Sequence, residues 1–129
     1  MEPKYKTSLS VGADIREMLL RDDDVTAITR LVYPVFREAA TLPYIVYRRE
    51  ALEPKTTKAG YRAADTVTMY IECYAQDYAQ SIALAEAARH ALEKPQPQVG
   101  VVRGCSLTDS SEVVAGDAVL QTLIFKILS

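Results

Sequence analysis

Between Thr66 and Tyr74 apolar and polar positions alternate without a break, with Val67, Met69, Ile71 and Cys73 set against Thr66, Thr68, Tyr70, Glu72 and Tyr74. A period of two predicts a strand whose apolar face meets a core and whose Thr, Tyr and Glu face meets solvent or another protein. Nearer the N-terminus the period lengthens. Val11, Ile15, Met18 and Leu19 share one helical face while Asp14, Arg16, Glu17 and Arg21 point elsewhere, which predicts an amphipathic helix capped by Ser8 or Ser10. The run Asp22-Asp23-Asp24 interrupts it as a solvated junction, and Asp24 is placed to cap a short helical turn through Val25, Ala27 and Ile28. Adjacent aspartates point apart, and no glycine turn or distal glutamate follows to complete a calcium loop.

Two proline-marked segments come next, Val32-Tyr33-Pro34 and Leu42-Pro43-Tyr44-Ile45-Val46-Tyr47-Arg48. Each proline pushes the residue before it, Tyr33 or Leu42, toward extended geometry, so both are expected at strand ends. Glu53 to Ala64 has no apolar period and carries Lys55, Lys58 and Arg62, which predicts a long basic loop. After the alternating strand, Asp77 precedes a helix from Tyr78 to about Glu93, with Tyr78, Ile82, Leu84, Ala85, Ala88 and Leu92 in its apolar arc and His90 outside it beside Glu86 and Glu93. Pro95 and Pro97 end that helix. A strand around Val99 to Leu107, a polar turn from Thr108 to Asp117 and a last strand from Ala118 to Leu128 close the chain. The last strand is apolar on both faces, so it belongs inside a sheet or under a neighbouring subunit.

This order predicts one α+β domain over residues 1–129, with 1–7 flexible. Its sheet is mainly antiparallel or mixed, of about four to five strands, with two main helices on one face. The length of 129 residues is enough for a core without disulfide or metal support. A hydrophobic fraction of 49% with 25% charged residues is the mixture of a folded globular protein. Fifteen basic against seventeen acidic residues give a net charge of −2, so no global attraction to nucleic acid or anionic membrane is built in. The polar start Met1-Glu2-Pro3-Lys4-Tyr5-Lys6 lacks the apolar stretch of a secretory signal, and no later segment has the length and apolarity of a membrane span. Cys73 and Cys105 fall in separate predicted strands and read as reduced core thiols.

The usual chemistries find no footing. His90, the single histidine, has no adjacent nucleophile, and no nucleophile elbow surrounds Ser106, Ser110 or Ser111. The five glycines are scattered, so no phosphate-binding loop can be written. Asp109 and Glu112 sit in a polar stretch where solvation accounts for them. No catalytic, cofactor-binding or metal-binding set emerges, and no cofactor is expected. What stands out is eight tyrosines with no tryptophan, because tyrosine buries ring area at an interface while its hydroxyl still reaches water or a partner. Tyr70 and Tyr74, on the polar face of the alternating strand with Glu72, form one candidate surface for a subunit or partner. Lys55, Lys58, Tyr61 and Arg62 form a second.

Taken together, the first helix followed by Asp-Asp-Asp-Val, the Val32-Tyr33-Pro34 strand end, the Leu42 to Tyr47 strand, the Thr66 to Tyr74 strand entering an alanine-rich helix, and a closing hairpin with Phe125 resemble the tail completion, or tail terminator, family of long-tailed bacteriophages. The resemblance runs from about Ser8 to Leu128, and it departs in the Glu53 to Ala64 loop and the proline-rich stretch from Lys94 to Gln98. It implies a structural subunit and not an enzyme. Such subunits form a homo-oligomeric ring, commonly hexameric, that caps the head-proximal end of the tail tube, stops its polymerisation and supports head-tail joining. The implied partners are other copies of the chain, the tail tube protein and a head-closure or connector protein, with DNA only passing through the lumen and no membrane. The implied location is the host cytoplasm during assembly and then the virion tail. The same scaffold also suits a small α+β ligand-binding or regulatory domain.

Overall fold

Thr7 starts the first described element: its hydroxyl accepts a hydrogen bond from the Leu9 N–H at 3.2 Å and opens a 3-10 turn, Ser8–Ser10, which runs into helix α1, Val11–Leu20. Thr7 therefore caps the 3-10 turn, while Ser10 holds the N-cap position of α1 without a side-chain capping bond. Ser8 turns inward, donating to Asp65 at 2.7 Å. This computed structural model describes residues 5–35, 41–55 and 64–129.

The aspartate run also departs from expectation. Asp22, not Asp24, caps helix α2, Asp23–Ile28, its Oδ1 accepting from the Asp24 and Val25 N–H groups at 3.0 and 3.1 Å. Its other oxygen receives Lys94 Nζ at 3.0 Å, and the residue is buried. The junction is thus an ordered clasp between α2 and the far end of the second long helix. Burial alone would raise the Asp22 carboxyl; Lys94 and the two backbone N–H groups outweigh it and hold the group below its ordinary value.

Among the described residues five strands make one sheet in the order β1-β2-β3-β5-β4. Strand β1, Val32–Pro34, pairs in parallel with β2, Tyr44–Glu53; β3, Thr66–Ala75, is antiparallel to β2 and to β5, Ala118–Leu128; β4, Gly104–Ala115, is antiparallel to β5. Both prolines stand at strand ends as expected, Pro34 closing β1 and Pro43, on a cis bond to Leu42, preceding β2. Strand β5 lies inside the sheet, which accounts for its two apolar faces. Strand β4 corrects the reading of the last third of the chain. Val99 and Val102 only bridge a tight turn, and the stretch expected as a polar turn continues as strand to Ala115. Its polar residues are those of an outer strand exposed along most of its length.

Helix α3, Tyr78–Glu93, is capped by Asp77, whose Oδ1 accepts from the Gln80 N–H at 2.8 Å, and stops before Pro95. It buries Ser81, Leu84, Ala85, Ala88, Ala91 and Leu92. Tyr78 was expected in that arc and instead stands exposed, its hydroxyl 3.5 Å from Glu112 of β4. The alanines let α3 lie close to β3 and β5, while α1 and α2 pack beside it on the same side of the sheet. Between them Phe125, Ile71, Met69, Ile45, Ile127, Leu84, Ile15 and Leu19 are at most 1% exposed. Each such side chain contributes about 1.5–3 kcal/mol of burial. At the C-terminal end of α3, Glu93 accepts from the Leu107 N–H of β4 at 2.8 Å and from Arg89 at 2.6 Å, tying the helix to the outer strand.

Candidate assembly interface

Among the described residues the helices lie on one face of the sheet, and none packs on the other. Alternation in β3 places Thr66, Thr68, Tyr70, Glu72 and Tyr74 on this open face, half-buried, while Val67, Met69, Ile71, Cys73 and Ala75 are buried beneath. The register decides what meets them. Tyr44 of β2 stands directly opposite Tyr74, and the two rings stack with centroids 4.7 Å apart and planes 15° apart. Tyr33 of β1 extends the cluster, its ring 6.2 Å from that of Tyr44. Arg48 stands opposite Tyr70 with its guanidinium 4.4 Å from the ring centroid, and its Nε donates to Glu72 at 3.4 Å. Arg48 also pairs with Glu50.

Charge and aromatic contacts here reinforce each other. Partial burial would lower the Arg48 guanidinium, but Glu50 and Glu72 more than compensate and raise it. Partial burial, with Glu72 nearby, raises the Tyr44 and Tyr74 hydroxyls above their ordinary value. The face therefore offers neutral phenols and a fully charged arginine. A stacked aromatic pair contributes about 0.5–1.5 kcal/mol beyond area burial, and a cation over a ring at an exposed site about 0.5–1 kcal/mol. These contacts order the side chains before any partner arrives.

Of the residues expected at an interface, the structure brings Tyr70, Glu72 and Tyr74 together on this face. Lys55 lies apart, two residues beyond the end of β2, where its N–H donates to Asp65 at 3.3 Å and its amine is 3.9 Å from Glu53. Lys58, Tyr61 and Arg62 lie outside the described residues. Tyr33, Tyr44 and Arg48, outside both candidate surfaces read from the sequence, join this one. Period two in β2 already puts Tyr44, Val46 and Arg48 on one side, but only the β2–β3 register aligns them with Tyr74, Glu72 and Tyr70.

The thiols show no nucleophilic character. Burial, with Glu72 adding to it, pushes Cys73 up to about 12; burial, with Glu93 adding to it, pushes Cys105 up to about 12. Both are protonated at neutral pH. His90 is exposed. Among the described residues no group of three His, Cys, Asp or Glu side chains is arranged to hold a metal, and no helix is long and apolar enough to cross a membrane.

Among the described residues, then, the sheet of this small α+β chain carries an aromatic and charged face built from Tyr33, Tyr44, Arg48, Tyr70, Glu72 and Tyr74. A profile of the tail completion protein gp17 family matches residues 13–127. The chain belongs to this family, and its role is a structural one in tail completion. No curated protein matches the chain. Among solved structures, a chain of the virion of a native gene transfer agent particle is similar at 19% identity and a TM-score of 0.75, with 92% of each chain covered. At that identity the likeness is one of fold.

Proposed function

We propose that the protein closes into a homo-oligomeric ring, hexameric as is common among tail terminators, on the head-proximal end of a phage tail tube. The ring halts tube polymerisation and presents its far side to a head-closure or connector protein. It assembles in the host cytoplasm and stays in the virion tail, with DNA passing through its lumen. The observation that carries this reading is the family match across residues 13–127. The open sheet face supports it, since Tyr33, Tyr44, Tyr70 and Tyr74 form an aromatic surface that no helix among the described residues covers. The net charge of −2 suits a conduit that lets DNA pass without gripping it.

The test adds purified protein to polymerising tail tube protein and measures tube length by electron microscopy, with light scattering on the protein alone. Short tubes carrying one ring at one end are expected. Tubes of unchanged length, together with a chain that stays monomeric at every concentration, would overturn the proposal.

A further inference from the structure

The two edges of the sheet are unlike, and their difference points to how one copy meets the next. The β1 edge is short and blunted: it has three residues, Pro34 has no N–H to offer, and the Val32 carbonyl already accepts from Arg16 Nε at 3.2 Å. It is a poor template for an added strand. Beside it, between the start of α1 and the β1–β2 pair, runs a groove of about 430 Å³ whose lining includes Leu9, Pro34, Val35, Tyr47 and Arg49, with Arg48, already paired with Glu50 and Glu72, at its side. Leu9 and Val35 are each 68% exposed at its lip. Val35 holds φ 63°, a strained conformation for a β-branched residue, fixed by its N–H bond to the Tyr47 carbonyl at 2.7 Å.

The opposite edge ends in a projection. Beyond Glu112, which is held by Gln121 at 2.9 Å and by Tyr78, the β4–β5 hairpin continues through Val113, Val114, Ala115 and Gly116. Val113 and Val114 are 57% and 71% exposed and point to opposite faces of the strand. A tip that is apolar on both sides is buried better by a groove than by a flat surface. Charge follows the same division. The β4–β5 hairpin, Gly104 to Leu128, carries Asp109, Glu112 and Asp117 toward its tip and a single cation, Lys126, at the far end opposite Ser106. At the groove end Arg16 and Arg49 have no carboxylate partner among the described residues.

We infer that the Val113–Val114 tip of one copy seats in the Leu9–Val35 groove of the next copy, with the hairpin carboxylates meeting Arg16 and Arg49. This rests on the ring reading and names its contact. Knob and groove lie at opposite edges of the sheet, so the contact is head-to-tail and repeats by rotation until it closes. It also predicts an asymmetry that a two-fold contact would lack: a chain with a broken knob keeps a working groove, and a chain with a broken groove keeps a working knob.

The test uses the full chain as Val113→Asp/Val114→Asp and as Leu9→Asp, with assembly measured by light scattering and on tail-tube ends. Each variant alone is expected to lose at least tenfold in assembly while its melting temperature stays within a few degrees of the unsubstituted protein. Mixed in equal amounts, the two are expected to give dimers and nothing larger. Variants that assemble like the unsubstituted chain, or a mixture that stays monomeric, would overturn the contact while leaving the ring standing. An unsubstituted chain that neither self-associates nor caps tubes would overturn the ring and the contact with it. If either aspartate variant fails to fold, a Leu9→Cys/Val114→Cys chain takes its place. Oxidation should then give a ladder of linked copies, and no ladder overturns the contact.

Discussion

Strand β3 presents two chemistries a single residue apart. On the helix side Met69, Ile71 and Cys73 are at most 1% exposed, while on the other side Tyr70, Glu72 and Tyr74 stay half-buried with Tyr44 and Arg48 beside them. The first face is finished by the chain itself. The second has Arg48 paired with Glu72 and Tyr44 stacked on Tyr74, but among the described residues no helix lies over it. Stability should therefore reside on the first face and recognition on the second.

The largest expected effect breaks the helix side. Phe125 is fully buried where β5 meets α3, so Phe125→Ala should destabilise the protein by about 3–5 kcal/mol, through lost burial and the cavity left behind. Denaturant unfolding measures it. A loss below about 1 kcal/mol would mean that the helix layer does not close on the sheet as described.

The next effect concerns the clasp that holds the helices in place. Asp22→Ala removes a cap and leaves Lys94 without its carboxylate, so it should cost about 2 kcal/mol at pH 7. Asp22→Asn can still accept the capping bonds and isolates the charge. Because the folded carboxyl titrates below the ordinary value of 3.8, its contribution is complete above that value and is lost as pH falls through the lower folded one. The stability gap between the unsubstituted protein and Asp22→Asn, measured by urea unfolding from pH 7 to pH 2, should hold steady and then close at the acid end. A gap that widens on acidification would contradict the clasp.

Much of the helix side was legible in the sequence, because amphipathic period and burial are the same physical fact. The Ile15 and Leu19 stripe, the alternation of Val67 to Cys73 and the span of Ala118 to Leu128 all stand as the pattern implied. Failures fell where a long-range partner decides the outcome. Asp22 looked like solvated charge because Lys94, its partner, is far away in sequence. The Asp109 to Ala115 stretch looked like a turn because an outer strand exposes its residues and loses the alternation that marks a half-buried one. Tyr78 was placed in the apolar arc by helical angle, but its ring stands exposed with its hydroxyl toward Glu112 of the outer strand, and Ser81, three residues on and bonded to Gln121 of β5, takes the buried place. The open face was half legible: alternation put Tyr70, Glu72 and Tyr74 together, whereas the register that adds Tyr44 and Arg48 is invisible to local pattern.

On the open face, truncation should matter little to folding and much to assembly. Tyr74→Ala forfeits one stacked pair and should cost about 1 kcal/mol in unfolding experiments. In the tube-length assay it should weaken capping at least tenfold, because anchoring aromatics dominate contact surfaces. Full capping by Tyr74→Ala would remove this face from the interface and leave the family role untouched.

The smallest effect is the sharpest comparison, since each side of the sheet has an ion pair of similar length. Lys94 reaches the buried Asp22 at 3.0 Å, whereas Arg48 reaches Glu72 at 3.4 Å with its own side chain 35% exposed. Water screens the second pair, and its Coulomb gain is offset by the freedom its long side chains lose. A double-mutant cycle with Arg48→Met and Glu72→Gln should therefore give a coupling of about 0.5 kcal/mol or less, shrinking further in 1 M salt. The same cycle with Asp22→Asn and Lys94→Met should give a larger coupling that salt barely moves. Equal couplings would mean that the open face is already sealed within a single chain. Unequal ones would mean that its arginine and carboxylates are held in order while their remaining electrostatic capacity stays available to a partner that excludes the water.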